Sequence, residues 1–265
     1  MDPLHIVVLA LIQGITEFLP ISSSAHLLLP SELLGWPDQG LAFDVAVHVG
    51  TLGAVVIYFR RDVVSLTSGW FRQFGPQGAT DDSHLAWMII LATIPAAVAG
   101  LFGHEIVETY ARSTVVLATT TLVFGVLLGW ADLRSNHRRH MLDMTWRFAL
   151  IIGCAQAIAL IPGTSRSGIT MTAALMLGFS RMDSARFSFL MSIPIIILSG
   201  GYKGFELMTL PNVDWTSIIL GTLLSGVSAY LVIYVFLGFI NRLSMLPFAV
   251  YRVFLGLFLF MWFVE

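Results

Sequence analysis

Charged residues are scarce in this chain. Its 265 residues are 57% hydrophobic but only 11% charged, whereas ordinary soluble domains carry roughly 25% charged residues. Together with a mean hydropathy of +0.84, this scarcity excludes an ordinary soluble domain and indicates an integral membrane protein. The apolar runs are long and do not alternate with polar residues as barrel strands do. We therefore predict spanning helices, whose backbone hydrogen bonds close within each segment.

Several other features are lacking. Cys154 is the single cysteine and cannot form an internal disulfide. Glycine-rich phosphate motifs of the soluble type, Cys/His metal spacings and basic patches typical of nucleic-acid binding do not occur in the sequence. We therefore expect the bilayer as a partner and no nucleic acid. Function must be sought in the few polar groups inside apolar segments, where ionisable residues are costly and usually functional.

Two apolar tracts are each interrupted near the middle. The first runs from Leu4 to about Leu34 and is broken by Pro20 and by Ser22–Ser24. The second, from about Phe148 to Leu177, is broken by the segment Pro162–Gly168. Each half is only ~15 residues, or ~22 Å of helix, which is short for a ~30 Å hydrocarbon core. We therefore predict two re-entrant helical hairpins, whose irregular backbone must be buried in protein or line a cavity.

Six longer apolar segments are predicted to cross the membrane, and the polar stretch 60–83 is predicted to be a connecting loop. The spans lie near 42–59, 84–102, 114–130, 185–198, 215–240 and 248–264. Arginines concentrate at 60–72 and 134–147, which we assign to the cytoplasmic side. The interrupted tracts then enter from opposite sides, as in an inverted repeat, with halves at about 1–133 and 147–265. The predicted fold class is an all-α polytopic bundle forming one membrane domain.

The two breaks also resemble each other in sequence. Aligning Pro20 with Pro162 places hydroxyl residues at corresponding positions, and a glutamine precedes each proline at nearly the same distance, Gln13 in the first tract and Gln156 in the second. Inverted repeats place their site at the interface of the halves, near the midplane. We therefore expect the two breaks to meet and form one site.

The first break carries an acid, hydroxyls and an imidazole. Gln13 and Glu17 are four residues apart, so a helix presents both on one face. There they can hold a hard divalent cation, accept hydrogen bonds from an arginine, or clamp two helices together. At least one of Ser22–Ser24 is expected to cap the next helix, and such a cap also exposes a helix N-terminus that favours phosphate binding. His26 lies within reach of the same turn and is either structural or catalytic.

The second break supplies the positive charge that the first one lacks. Arg166 lies between two apolar half-helices, and its forked donors suit bidentate phosphate recognition. The alternative interpretation is an internal salt bridge with Glu17. Ser165, Ser167 and the surrounding amides can form a nest for anionic oxygens. Other arginines are predicted to be cytoplasmic anchors: Arg60, Arg61, Arg242 and Arg252.

Two long motifs resemble the signatures of a known family. The segments Gln13–His26 and Pro162–Gly168 are similar to the signature motifs of the bacterial undecaprenyl-diphosphate phosphatase family, also called the bacitracin-resistance family. Similarity at Phe43–Thr51, Phe187–Leu190 and Pro247–Arg252 extends the resemblance over nearly the whole chain. The resemblance implies a multi-pass phosphatase of the bacterial inner membrane. It would remove the terminal phosphate from a polyprenyl diphosphate lipid, undecaprenyl diphosphate, and so recycle the carrier of peptidoglycan synthesis.

The resemblance also implies roles by position. The acid pair of the family falls on Gln13 and Glu17, its serine on Ser23, its histidine on His26 and its arginine on Arg166. Gln13 departs from those members that have glutamate there. A divalent cation, Mg²⁺ or Ca²⁺, is implied at Glu17 and Gln13. The other substrate-binding candidates are Ser22, Ser24, Gly163, Thr164, Ser165, Ser167 and Gly168.

The expected chemistry is phosphoryl transfer in a polar cavity, with the lipid tail in an apolar groove that opens sideways to the bilayer. Arg166 and a cation on Glu17 would neutralise the transferring group. Either Ser23 attacks with His26 as its base, or His26 attacks and Ser23 only positions the substrate. The alternatives from other classes are a lipid-phosphate flippase and an intramembrane serine protease. We expect the cavity to open to the periplasmic side, and a homodimer is a further expectation.

Overall fold

The computed structural model describes residues 1–76, 78–111, 113–207 and 214–263. Within these ranges the regular secondary structure is α-helical, apart from a short 3₁₀ turn and one isolated bridge between Arg139 and Phe179. The helices are α1 Pro3–Thr16, α2 Ser23–Leu34, α3 Gly40–Tyr58, α4 Arg60–Arg72, α5 Asp81–Tyr110, α6 Thr114–Arg134, α7 Trp146–Ile158, α8 Arg166–Met176, α9 Arg181–Leu207, α10 Trp215–Phe239 and α11 Leu246–Phe263.

Six of these helices are long and apolar enough to cross a membrane: α3, α5, α6, α9, α10 and α11. This finding confirms the predicted polytopic helical bundle. Helices α1 and α7 are apolar but have only 14 and 13 residues, or about 20 Å of length at the usual rise per residue. Each is followed by an irregular break and a second short helix, so the chain forms two helix–break–helix hairpins, α1–α2 and α7–α8.

Some boundaries differ from the predictions. Residues 60–83 were expected to be a connecting loop, but they contain helix α4. Its apolar residues Val63, Leu66 and Trp70 recur at helical spacing and pack against the main core, a pattern that marks an amphipathic helix. Helix α5 continues past the predicted span and α9 begins before it. The last residue of the span predicted near 248–264 lies outside the described residues.

The first hairpin is shaped by a cap and a proline. Helix α1 begins after Asp2, whose side chain accepts a hydrogen bond from the Leu4 amide at 2.8 Å, with Pro3 in the first turn. Pro20 lies in the break that follows, where its ring does not allow the helix to continue. Ser22, with a φ of 74°, precedes the first residue of α2.

The second hairpin turns in a similar way. Helix α7 begins after Thr145, whose hydroxyl accepts from the Phe148 amide at 3.4 Å. In the break, Gly163 and Ser165 have φ values of 85° and 67°, in the left-handed region that a serine rarely adopts. The Ser165 hydroxyl then caps α8 by accepting from the Gly168 amide at 3.2 Å.

Each hairpin packs closely against a long helix of the bundle. Helix α1 lies on α10, where a Cβ at Gly14 would come within 1.9 Å of Ser228 Oγ and 2.5 Å of the Ser225 carbonyl oxygen. Helix α7 lies on α5, where a Cβ at Gly153 would come within 2.4 Å of the Ala92 carbonyl oxygen. Glycine therefore allows the backbones to touch at both crossings, and these contacts hold the hairpin tips inside the bundle.

Candidate active site

The tips of the two hairpins meet inside the bundle. Nη2 of Arg166, at the start of α8, donates to Oε1 of Glu17, just after α1, at 3.1 Å. The two side chains are 14% and 8% exposed, although the residues are 149 positions apart in sequence. The structure thus brings the two interrupted segments together. It does so through the salt bridge that was the alternative interpretation of Arg166.

Two further hydrogen bonds link the tips. Ser24 Oγ, from the first hairpin, accepts from the Gly163 amide of the second at 3.1 Å. In the other direction, Ser167 Oγ donates to the carbonyl oxygen of Leu19 at 2.9 Å. Each hairpin therefore reaches across to the backbone of the other, and a displacement of one tip would disturb both.

The Glu17 carboxylate is the centre of this contact. Its Oε2 accepts from the Gln13 amide nitrogen at 3.1 Å and from Ser23 Oγ at 3.0 Å, while Oε1 faces Arg166. An ionised carboxylate only accepts hydrogen bonds, so three donors from different positions converge on one anion. Gln13 and Glu17 share one helix face, as their spacing predicted, and the hydroxyl nearest to this acid is that of Ser23.

His26 is held through both of its ring nitrogens. Nδ1 lies 2.7 Å from the Ser22 carbonyl oxygen, and Nε2 lies 2.6 Å from the Tyr251 hydroxyl of α11. Because a carbonyl only accepts, Nδ1 must carry a proton, so Nε2 of the neutral ring accepts from the tyrosine. The two rings are also stacked, with centroids 5.6 Å apart. In this arrangement the imidazole is bonded to Ser22 and Tyr251, whereas the Ser23 hydroxyl is bonded to Glu17.

The turns that open α2 and α8 have nearly the same backbone conformation. Ser22 has φ 74° and ψ 97°, and Ser165 has φ 67° and ψ 109°. Strained serines of this kind cluster at functional sites. By this match Ser23 corresponds to Arg166, and each is the first residue of its helix. The alignment of Pro20 with Pro162 instead pairs Ser24 with Arg166, so the two correspondences differ by one residue. The inverted repeat of the whole chain stays a prediction.

Exposure divides the predicted site residues into two groups. Ser24 is exposed, and Ser23, His26 and Arg166 are half-buried. The remaining ones are buried behind them: Gln13, Glu17, Ser22, Gly163, Thr164, Ser165, Ser167 and Gly168. A substrate can therefore reach the first group directly, whereas the second group can act only through its backbone, through a neighbour or after a rearrangement.

Two of the amides expected to bind an anion are already engaged. The Gly163 amide donates to Ser24 Oγ and the Gly168 amide to Ser165 Oγ. The first amides of α8 have no acceptor within the helix because of their position, and the positive end of the helix dipole lies there. The start of α8 at Arg166 is therefore better placed than the glycines to receive phosphate oxygens.

Asp44 and His48 lie one helical turn apart on α3. The Asp44 carboxylate accepts from the Gln39 side chain at 3.0 Å and so stabilises the start of the helix. His48 Nδ1 lies 2.7 Å from the Asp44 carbonyl oxygen. Both of these contacts stay within residues 39–48, so neither connects to the hairpin tips.

The chain is similar over nearly its whole length to one family of known proteins. A family model described as bacitracin resistance protein BacA matches residues 6–258. The chain belongs to the BacA family. Proteins named undecaprenyl-diphosphatase from Teredinibacter turnerae and Saccharophagus degradans are 61% and 60% identical to it. These matches cover 98% and 99% of this chain and 99% and 100% of those proteins.

The resemblance to the BacA family implied a divalent cation. The side chains of this protein, however, provide few ligands for one. The described residues contain no group of three or more His, Cys, Asp or Glu side chains that could hold a metal ion. Gln13 Oε1 is buried without a hydrogen-bond partner in the described part of the chain, and the same amide bonds Glu17. Oxygen donors of this type suit Mg²⁺ and Ca²⁺. The site therefore fits a cation only if phosphate oxygens complete its coordination.

Two residues next to the site were missed or misassigned from the sequence. Tyr251, the partner of His26, was not among the candidates. Arg252, predicted as a cytoplasmic anchor, is 0% exposed and contacts the backbone of the second break. It lies in the second turn of α11, which faces the site, so its position near a predicted span end was misleading. The only sequence signal for either residue was the family resemblance at Pro247–Arg252.

Proposed function

We infer that this BacA family protein is an undecaprenyl-diphosphatase, which hydrolyses undecaprenyl diphosphate to undecaprenyl phosphate and inorganic phosphate. Such an activity recycles the lipid carrier of cell-wall synthesis and accompanies bacitracin resistance. The observation that carries the inference is the cluster in which Glu17 binds both Arg166 and Ser23. Relatives about 60% identical over their full length are named for this reaction, and their names give a flippase no support.

Arg166 is the proposed diphosphate ligand. Its guanidinium is half-buried at the start of α8, where the helix dipole also favours an anion. Without substrate it is neutralised by Glu17 at 3.1 Å. A diphosphate offers several negatively charged oxygens, so it can replace this single contact by a bidentate one. Binding would then release Glu17 from the arginine and leave the carboxylate beside Ser23.

Ser23 is the proposed nucleophile, with Glu17 as its base. Oγ of Ser23 attacks the terminal phosphorus, its proton passes to Glu17, and the bond from phosphorus to the bridging oxygen breaks. Undecaprenyl phosphate leaves with that electron pair and takes the proton from Glu17. Water then attacks the phosphoserine, gives a proton to Glu17 and releases inorganic phosphate, while Oγ regains this proton. The distance of 3.0 Å from Ser23 Oγ to the carboxylate supports the assignment.

His26 is the alternative nucleophile, and its contacts count against that role. Nδ1 is protonated against the Ser22 carbonyl, and Nε2 is engaged by Tyr251. A direct attack by Nε2 would first have to break the bond of 2.6 Å to the tyrosine hydroxyl. We therefore propose that His26 orients the phosphate and exchanges protons at the edge of the site, together with Tyr251.

A divalent cation, Mg²⁺ or Ca²⁺, is part of the proposal. The residues that would hold it are Glu17 and Gln13, the latter through its unpartnered Oε1. When bound, the cation would neutralise part of the charge on the transferring phosphoryl group. The chain itself would contribute orientation, because Gln13 Nε2 fixes the carboxylate at 3.1 Å.

An apolar groove next to the site is the proposed place of the lipid tail. It has a volume of about 310 Å³ and is lined by Leu19, at the tip of the first hairpin, and by residues of α10, of the segment that follows it and of α11, including Phe236 and Phe248. Leu19 follows Glu17 by two residues, and its carbonyl binds Ser167. A polyprenyl chain in this groove would therefore place its diphosphate close to the hairpin tips.

The orientation in the inner membrane is proposed from the charges. The arginines of α4 and of the segment after α6 are assigned to the cytoplasmic side. The amino group of Met1 forms an ion pair of 3.1 Å with Asp214, before α10, so these two groups lie at one end of the bundle. This end would be periplasmic, and the α1–α2 hairpin would enter from it, so that the cavity opens outward. The homodimer stays a prediction.

The decisive experiment measures phosphate release by the purified protein in detergent micelles. Undecaprenyl diphosphate is supplied with and without a chelator to the wild type and to Glu17→Ala, His26→Ala and Arg166→Ala. We expect release by the wild type, its loss with chelator, and strong loss in the Glu17 and Arg166 variants. A flippase would release no phosphate without two compartments. Retained turnover in both Glu17→Ala and Arg166→Ala would refute the proposed site, and activity independent of Arg166 and metal would favour a different hydrolase.

A further inference from the structure

A second arginine lies directly behind the site, fully buried and without a counter-ion. Arg252 of α11 is 0% exposed. None of the ion pairs among the described residues involves it. Buried charges at membrane depth are rare and are usually paired with an opposite charge. An arginine in this position therefore needs an explanation beyond packing.

The guanidinium of Arg252 is bonded to backbone carbonyls. Its Nη2 donates to the carbonyl oxygens of Gly163 and Thr164, both at 2.9 Å, and its Nε donates to that of Thr121 at 3.2 Å. These bonds tie the second break to α6 and α11. Carbonyl dipoles satisfy the donors, but unlike a carboxylate they leave the net positive charge in place.

The third nitrogen of this guanidinium points to the start of α8. Nη1 of Arg252 is buried and has no hydrogen-bond partner in the described part of the chain. It lies against Gly168, in the first turn of α8, where an added Cβ would come within 2.7 Å of it. Arg252 therefore adds its charge at the same end of α8 at which Arg166 begins the helix.

The two arginines differ in how they are neutralised. Arg166 is paired with Glu17 at 3.1 Å, so this pair contributes little net charge before substrate arrives. Arg252 has no such partner, so its charge remains and attracts an anion. Interactions of this kind are much stronger in a region that excludes water than at an exposed surface. The electrostatic attraction of the free site for a diphosphate should therefore come largely from Arg252.

We propose that Arg252 is a positioning residue for the diphosphate: anchored on the Gly163–Thr164 backbone, it supplies the uncompensated positive charge among the side chains of the site, without touching the substrate. The proposal rests on the proposed phosphatase function. Two substitutions of Arg252 separate its charge from its hydrogen bonding. Lysine keeps the charge but not the forked donors, whereas glutamine keeps a donor but not the charge.

The test measures binding and turnover separately for Arg252→Lys, Arg252→Gln and, as a matched control, Arg242→Gln in the exposed segment before α11. Binding is measured in detergent with a methylene-diphosphonate analogue of a polyprenyl diphosphate, which cannot be hydrolysed. We expect Arg252→Gln to raise both Kd and KM by more than ~10-fold with a smaller change in kcat, and Arg252→Lys to stay within ~3-fold of the wild type. The control should not change.

Unchanged affinity in Arg252→Gln would overturn the proposal, and so would a folded Arg252→Lys protein that binds as weakly as the glutamine variant. Gel filtration and thermal melting establish which variants are folded. If the glutamine variant does not fold, the lysine variant alone decides, because weak binding by it contradicts a role for the charge. A wild type that binds the analogue but releases no phosphate would refute the phosphatase function, and the binding comparison would still test Arg252.

Discussion

The hydroxyl of Ser23 lies 3.0 Å from Oε2 of Glu17, on the opposite side of the carboxylate from the Arg166 guanidinium at Oε1. One acid therefore contacts both the proposed nucleophile and the proposed phosphate ligand. A substrate that displaces the arginine changes the environment of the acid next to the serine. Binding and activation of the nucleophile are thereby coupled through a single side chain.

Replacement of Ser23 should stop the reaction at its first step. We expect Ser23→Ala to lower kcat by ~10³-fold or more, because no other group takes over a lost nucleophile. Ser24→Ala, at the exposed neighbouring position, should have a much smaller effect. Rapid quenching with a substrate labelled in the terminal phosphate should detect labelled wild-type protein and no labelled Ser23→Ala protein. A label that remains in Ser23→Ala and disappears in His26→Ala would instead make histidine the nucleophile.

Removal of the Tyr251 hydroxyl should impair His26 without disturbing the fold. Tyr251→Phe keeps the ring that stacks on His26 but removes the donor at 2.6 Å from Nε2. We expect kcat to fall roughly 10-fold, about the effect of one hydrogen bond, and the shape of the pH–rate profile to change. Tyr234→Phe, an exposed tyrosine on α10, is the control. Identical pH profiles for both variants would exclude a role of Tyr251 at the histidine.

Loss of Arg166 should lower the stability of the protein more than loss of the Glu17 charge. Arg166→Ala leaves a carboxylate that is 8% exposed without its cation, which typically costs about 3–5 kcal/mol. Glu17→Gln leaves the Arg166 guanidinium, which is more exposed at 14%, opposite an amide oxygen that can still accept a hydrogen bond. We therefore expect a lower melting temperature for Arg166→Ala than for Glu17→Gln, although both lose activity. The reverse order of melting temperatures would show that the pair is not the main stabilising contact of Glu17.

Two glycine-to-alanine substitutions should separate close packing from helix propensity. At Gly14 the new Cβ would lie 1.9 Å from Ser228 Oγ, whereas at Gly53 of α3 there is open space. We expect Gly14→Ala to destabilise the protein by about 1–3 kcal/mol and to lower activity, because α1 must move away from α10. Gly53→Ala should be neutral or slightly stabilising. Thermal melting in detergent and phosphate release provide both readouts, and equal behaviour of the two variants would contradict the packing argument.

Much of the fold could be predicted because the bilayer restricts it. Long apolar segments must be helices, and interrupted ones must be buried, so six spans and two hairpins followed from the lengths of the apolar segments and from the positions of their interruptions. Helix α4 was missed because its polar residues looked like a loop. The signal for such a helix is the spacing of its apolar positions. That these positions pack inward is seen only in the tertiary structure.

The site was predictable to the extent that its residues are local in sequence. The Gln13–Glu17 spacing and the serines after Pro20 are properties of one segment. The contact between His26 and Tyr251 joins residues 225 positions apart, and no periodicity shows it. Arg252 illustrates the same limit, because an arginine near the predicted end of a span is normally solvated, and only the packing of α11 on α6 buries this one.

The matching turns at Ser22 and Ser165 have a consequence for the electric field in the site. The same backbone conformation begins α2 and α8, and the first residues of both helices contact one carboxylate. A phosphoryl group that replaced the carboxylate in this contact would lie between the N-termini of two helices. The side chains there differ, a hydroxyl on one and a guanidinium on the other, but the dipoles act together. The scaffold therefore adds its own stabilisation of negative charge to that of the side chains.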